Sequence, residues 1–515
     1  MWLRNKKINE CYVLLFLAIL TFVVFYPSLK NAFVWDDKGI IFEQIQRIEG
    51  FSIYKPSFIY YRPLVAVSFL MDYLCWGYRP FGYHLTNIVL HVFNVLLFYM
   101  LSKRLLERIE SGIASNLSFF LTLIFVLHPV HVESVSWIAG RTDLLSCLFC
   151  LLTLLAVQLY WPKREKKALI LAFIFFFLTV LSKETAISLL IILFIDALFI
   201  APLLYQSRVD KLFVSGLILI SGIMIVYGLF KVPALKNYTF QFKPLFLLQA
   251  IGFYLKSSIL PYPFLSYIPY IPKWGGWISL IFFIVCVIVC WHLYKRKEIL
   301  KAKIGLNYLL MSFVILSPAL GLILFNIGAT PLAWRYLYTP SVFFILGLGI
   351  LSMSFLTRIK AIYLTVVAAL ITCIFVCIII PSQYIWKNDL SFWKKAIAVA
   401  GTDYAIPQHQ YALALLEGSK YKEAEKHFIT ALRAKDIQAY PWEKAVVYTN
   451  LGRLYAIQGK WLWAQRCFKK ALLHNPEYKS ASCNLGKLYL VLYRRTGDKN
   501  LLEKAKAFLK KCQGN

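Results

Sequence analysis

Negative charge is scarce in this chain. Its 515 residues hold 25 Asp and Glu against 56 Lys and Arg, for a formal net charge of +31, and charged residues of all kinds make up only 16%. So few acids leave no carboxylate cage for a hard divalent cation beyond the adjacent Asp36 and Asp37, and metal independence is the expectation. The cation excess does not signal a nucleic-acid partner: many of the cations fall in short gaps between apolar blocks, and no nucleic-acid-binding module is present. Alternation of polar and apolar residues is also lacking. The 60% of hydrophobic residues come in long uninterrupted blocks, which excludes a soluble globular chain over most of the length and indicates a multi-pass membrane protein. No small-residue cleavage site follows the first apolar block, although Arg4, Lys6 and Lys7 precede it as in a signal sequence, so that block is expected to remain as the first helix. The 11 cysteines lie mostly inside apolar blocks at helical spacings, such as Cys147 and Cys150 or Cys286 and Cys290; neither a zinc site nor a disulfide framework is expected.

What is there is a polytopic helix bundle of about eleven spans, placed at 11–29, 84–102, 114–132, 143–161, 168–182, 185–204, 212–230, 275–294, 304–326, 339–357 and 361–380. With a cytoplasmic N-terminus every inner connection is short and basic, for example Lys163, Arg164, Lys166 and Lys167, or Lys295, Arg296, Lys297, Lys301 and Lys303. An odd number of spans puts the C-terminus on the outer side. The segment 245–270 is apolar but broken by Lys256, Pro261, Pro263 and Pro269, and is read as a re-entrant or interfacial hairpin. Pro63 to Trp76 contains Asp72 and is too short to cross comfortably, so it is expected to lie along the surface within the first outer loop, 30–83.

After the membrane domain, 1–382, the composition changes and a soluble helical domain, 383–515, is expected. Between Ala445 and Pro476, the residues Leu451, Gly452, Tyr455, Ala464, Phe468, Ala471 and Pro476 occupy the positions of the tetratricopeptide pattern. Related units fall at about 405–436, 445–478 and 479–512, close to the minimum for a stable stack. The fold class is therefore all-α, a membrane bundle followed by a repeat solenoid. The repeats either bind a peptide or serve as a structural cap; Trp442, Trp461 and Trp463 suit a binding groove or a membrane interface.

With this topology the outer helix ends collect Asp36, Asp37, Arg62, His84, His128, His131, Glu133, Arg141, Asp143, Lys183, Glu184 and Arg335. Ionisable groups at membrane depth are costly, so a one-sided collection points to a site for a lipid-linked substrate. Structural readings stand beside this one, because Lys183 and Glu184 also suit two helix ends and Arg141 with Asp143 suits a pair. Pro129 interrupts the face that His128 and His131 share, which disfavours a metal there and favours hydrogen bonding to a sugar or phosphate. The sequon Asn237-Tyr238-Thr239 falls in an outer loop.

The runs Trp35-Asp36-Asp37, Tyr61-Arg62-Pro63-Leu64, Pro80-Phe81-Gly82-Tyr83-His84-Leu85, His128-Pro129-Val130-His131-Val132-Glu133, Gly140-Arg141 with Asp143-Leu144-Leu145, Ser182-Lys183-Glu184 and Arg335-Tyr336-Leu337-Tyr338 resemble, in order, the transmembrane and tetratricopeptide-repeat O-mannosyltransferases. That family belongs to the C-type glycosyltransferase superfamily. The resemblance implies transfer of a sugar, mannose or similar, from a polyprenyl-phosphate donor to a hydroxyl of a protein acceptor. The reaction takes place on the periplasmic side of a bacterial inner membrane, or the lumenal side of the endoplasmic reticulum in a eukaryote. It makes Asp36 the catalytic base, with Asp37 next in line. Trp334 stands where the family often has an acid, and the repeat array is short. A leaving phosphate needs cations, with Arg335 first and Arg62, Arg141 and Lys183 in reserve, while His84, His128, His131, Glu133, Asp143, Glu184 and Tyr336 form the polar surroundings. No cofactor is expected. A scaffold whose repeats recruit proteins, and a transferase or ligase of lipid-linked oligosaccharides, are the competing readings.

Overall fold

The computed structural model describes residues 10–49, 62–206, 210–231, 243–262, 264, 267–324, 330–356, 361–439 and 441–513. Tyr61 and the Asn237 sequon lie outside them. Regular structure among the described residues is helical, and the chain divides into two compact units. One comprises Met1–Phe264 with Tyr270–Asn388, and the other Leu265–Pro269 with Asp389–Asn515.

In the first unit eight helices among the described residues are long and apolar enough to cross a membrane. The elements are α1 (Glu10–Phe25), α2 (Asp37–Glu49), α3 (Pro63–Trp76), α4 (Pro80–Leu127), α5 (His131–Ser136), α6 (Arg141–Lys163), α7 (Lys166–Ser182), α8 (Leu189–Ile195), α9 (Ala201–Tyr205), α10 (Lys211–Lys231), α11 (Pro244–Ile259), α12 (Gly275–Lys295), α13 (Ile299–Leu324), α14 (Tyr338–Leu356) and α15 (Ala361–Ile385). The expected spans at 84–102 and 114–132 form one 48-residue helix, α4, interrupted at Glu110 by extended backbone. Phe98 and Phe125, on its two arms, stack with centroids 4.8 Å apart, so the arms fold back on each other. Burial separates core from periphery: the windows of Ile138–Lys163 and Trp334–Leu356 are 72% buried, that of Gly275–Lys295 only 17%. On α12 Trp277, Phe283, Ile288 and Trp291 are exposed, an apolar surface suited to lipid.

The first loop is built onto this bundle. Pro63 opens α3 and Gly77, in left-handed backbone, closes it. Ile41 and Ile45 of α2, Val65 and Phe69 of α3, Tyr83, Ile138 and Leu145 form one buried cluster. The segment 245–270 is helical over its first part. It begins as helix α11, which packs on α12 so closely that a Cβ on Gly252 would lie 1.6 Å from the Gly275 carbonyl oxygen, and its last residues, Leu265–Pro269, belong to the second unit. Two backbones can touch there because neither position carries a side chain.

The second unit holds α16 (Asp389–Ala400) and three helix pairs: α17 (Ala405–Glu417) with α18 (Tyr421–Arg433), α19 (Pro441–Ile457) with α20 (Trp461–His474), and α21 (Lys479–Thr496) with α22 (Lys499–Gln513). Gly452 and Gly486 set the approach within the last two pairs, where a Cβ would meet Phe468 at 2.6 Å and Leu509 at 2.9 Å. A disulfide joins Cys483 of α21 to Cys512 of α22, their Cα atoms 4.9 Å apart. This corrects the expectation that no cysteines pair: the two lie on facing sides of one helical hairpin, a proximity that spacing along the chain does not reveal.

Candidate active site

The turn after α1 carries the two aspartates, and the fold treats them differently. Trp35 has φ 61°, left-handed backbone that a bulky residue adopts only when its surroundings enforce it. Asp37 supplies the enforcement. Its Oδ2 accepts the Val34 N–H at 2.9 Å and its Oδ1 the Ala139 N–H at 2.9 Å, with the residue 1% exposed. Trp35 stacks on Trp137 at 5.3 Å, and Trp137 on Trp386 at 5.7 Å. A carboxylate with both oxygens on backbone amides braces the turn. Asp36 is half-buried, and its own carbonyl accepts the Ile40 N–H at 2.9 Å as α2 begins.

Arg335 stands in the turn Trp334–Leu337 that leads into α14. Glu133 of α5 holds it from three directions: Oε1 accepts from the guanidinium at 2.6 Å, and Oε2 from the Trp334 and Arg335 N–H groups at 2.9 and 3.1 Å. Burial pushes the Glu133 carboxyl above its ordinary value, against the opposing pull of Arg335. The guanidinium carbon lies 5.2 Å from the Trp137 ring and 4.8 Å from the Tyr336 ring, and Nη2 donates to the Tyr336 hydroxyl at 3.3 Å. Trp137 thus joins the Asp36 turn to the Arg335 turn.

Two further pairs surround this centre. Lys183 Nζ lies 2.5 Å from Asp143 Oδ1 and 5.4 Å from the Tyr336 ring. Arg62 grips Glu184 through two bonds of 2.9 and 2.7 Å, a bidentate pair between the first loop and the turn that begins at Glu184. The expected pairing of Arg141 with Asp143 does not occur.

Arg141 bonds to other partners instead. It is fully buried and donates to Asn87 Oδ1 at 2.9 Å and the Tyr83 carbonyl at 2.8 Å, with Nη1 2.5 Å from Asp72 Oδ2. Three helices, α3, α4 and α6, meet on its guanidinium. His84 is buried against the backbone of Asn31 and Ala32. The rings of His128 and His131 lie 5.9 Å apart, but their Nε2 atoms face the Ser258 carbonyl at 3.0 Å and Ser341 Oγ at 3.0 Å. Among the described residues no group of three or more His, Cys, Asp or Glu could hold a metal ion.

With this geometry in hand, the chain can be set beside known proteins. It is similar to protein O-mannosyl-transferases. Tmtc1 of Drosophila melanogaster is 31% identical over 189 residues, 34% of this chain and 21% of that protein. Tmtc2 of the same organism is 30% identical over 231 residues, 41% of this chain and 24% of the relative. TMTC3 of Homo sapiens is 36% identical over 96 residues, 19% and 10% of the two chains. The chain spans about a quarter or less of the length of these relatives. No protein-family profile and no solved structure matches the chain.

Sequence reasoning passed over several residues that build the site. Trp137 and Trp386 were hidden among many interfacial aromatics. Asp72 reads in the sequence only as an obstacle to crossing. Asn94 and His91, which meet the buried Tyr338 hydroxyl at 3.1 and 2.7 Å, sit in an apolar run where polarity was the one available signal.

Proposed function

We propose that the chain is a membrane glycosyltransferase that moves a sugar from a polyprenyl-phosphate donor to a hydroxyl of a protein acceptor, with inversion at the sugar carbon. The observation that carries this reading is the meeting of the Asp36 turn and the Glu133-held Arg335 on Trp137. One carboxylate and one fixed guanidinium are what this displacement needs.

In this mechanism Asp36 takes the proton from the acceptor hydroxyl while its oxygen bonds to the anomeric carbon, and the bond from that carbon to the phosphate oxygen breaks. The phosphate leaves with the electron pair, and Arg335 binds two of its oxygens. Glu133 keeps the guanidinium in place without reorganisation during the reaction. Arg62 and Lys183, already paired, act on the phosphate only through the local field. A monophosphate needs no protonating acid, so the second carboxylate of a glycosidase has no counterpart here. An apolar groove of about 920 Å³ between α11, α12 and α13, with Leu255, Phe282 and Phe313 in its walls, suits the prenyl chain. The short basic loops support a site on the outer side, and the Cys483–Cys512 bridge suits an oxidising compartment for the repeats.

The test is transfer of radiolabelled sugar from a panel of polyprenyl-phosphate donors by membranes containing the wild type or Asp36→Asn, at matched expression and folding. Transfer is expected from the wild type and a loss of about 10²- to 10⁴-fold in the variant. Full activity of Asp36→Asn overturns the base assignment, and no transfer from any donor overturns the function.

A further inference from the structure

Beside Tyr336 lies a cavity of about 50 Å³, walled by Asp143, Ser146, Lys183, Thr185, Tyr336 and Thr339. Its most telling feature is Asp143. The residue is 3% exposed; Oδ1 receives Lys183, whereas Oδ2 is buried with no hydrogen-bond partner. The site's other two paired carboxylates differ: Glu133 and Glu184 each use both oxygens. A buried carboxylate oxygen without a donor is costly, and a cavity beside its residue that sets Ser146, Thr185 and Thr339 among apolar walls is where a donor can be received. Tyr336 is common to this cavity and to Arg335, since it walls the former and its hydroxyl accepts from the latter.

We propose that Asp143 and Lys183 form a specificity subsite that reads one hydroxyl or hydroxymethyl group of the transferred sugar. The inference rests on the proposed function: a donor whose phosphate lies on Arg335 sets its sugar along Tyr336, with one edge entering the cavity. The cavity has room for a hydroxymethyl or hydroxyl group. That hydroxyl donates to Asp143 Oδ2 and accepts from Lys183 Nζ or from the hydroxyl of Ser146, Thr185 or Thr339. Lys183, counted from sequence among the phosphate cations, then serves the sugar. A site built to hydrogen-bond a hydroxyl rejects the analogue without it, because the analogue leaves the buried acceptor unpaired.

The test uses the full chain in nanodiscs with a polyprenyl-phosphate hexose and the set of its single-deoxy analogues. It follows equilibrium binding, which needs no turnover, and transfer as kcat/KM. One deoxy position is expected to weaken binding and kcat/KM by about 100-fold or more in the wild type, and Asp143→Asn is expected to reduce that preference to about fivefold or less. If every deoxy donor binds and transfers within about threefold of the parent, water alone fills the cavity and the subsite is refuted, while the transferase reading stands. Discrimination in binding without transfer keeps the subsite and removes the transferase reading. Absence of binding by any donor overturns both. The wild-type comparison decides the matter even where Asp143→Asn fails to fold.

Discussion

Asp36 and Asp37 are chemically identical neighbours with opposite surroundings. Asp37 accepts two backbone N–H groups, one of them from Ala139, whereas Asp36 keeps its side chain at a half-buried edge. In Asp37→Asn the new amide presents N–H to N–H at one of those contacts. This substitution is expected to cost about 1–3 kcal/mol of stability, lowering the melting temperature while the molecules that remain folded retain most of their transfer rate. Asp36→Asn is expected to do the reverse. Calorimetry and transfer per folded molecule, measured on both variants, separate the two roles; equal effects on rate would contradict the division. Nothing in the dipeptide itself distinguishes the acids, because the difference is made by an amide 102 residues away. Arg141 teaches the same lesson. Its motif marks it as important, but only its burial among Asp72, Asn87 and Tyr83 shows that it binds helices.

At the scale of elements, the repeat pattern was legible because each small residue answers a local need: Gly452 faces Phe468 across its own helical hairpin, and both fall inside one unit of the pattern. The disulfide was not legible, since Cys483 and Cys512 meet only after α21 and α22 pair. Glu443 offers a further test at this scale. It sits in the first turn of α19, where the helix dipole favours its charge, but burial first and Asp436 second push its carboxyl up to about 7. A raised carboxyl value means that the folded state holds the proton more tightly than the unfolded one. The repeat unit is therefore expected to be most stable below the unfolded value of Glu443, near 4.5, and to lose stability as pH rises from there to about 7. Glu443→Gln should flatten this slope. The change expected is of order 1 kcal/mol after allowance for solvent screening, read as the pH dependence of the melting temperature of the full chain. An unchanged slope in the variant would exclude Glu443 as its source.

For the whole molecule, orientation and compartment are linked through the C-terminal unit. If the repeats lie on the outer side, Cys483 and Cys512 are oxidised in the cell. Alkylation of intact cells without reductant, followed by mass spectrometry, should leave both unlabelled, and labelling of both would place the unit in a reducing compartment. Cys483→Ser should lower the stability of the repeat unit by about 2–4 kcal/mol, because the bridge closes a loop of moderate length in the unfolded chain.

Composition and periodicity alone were enough for the all-helical class, the presence of membrane-length apolar helices ahead of a less apolar helical segment, and the list of ionisable residues from which a site can be built. Both are properties of neighbouring residues. Tertiary structure alone decided the pairings: Glu133 with Arg335, Lys183 with Asp143, Arg62 with Glu184, Arg141 with Asp72 and Cys483 with Cys512. It also decided which aspartate braces its turn. The physical reason is that a buried charge takes its role from the groups that replace its water, and those groups come from elements far away in the chain.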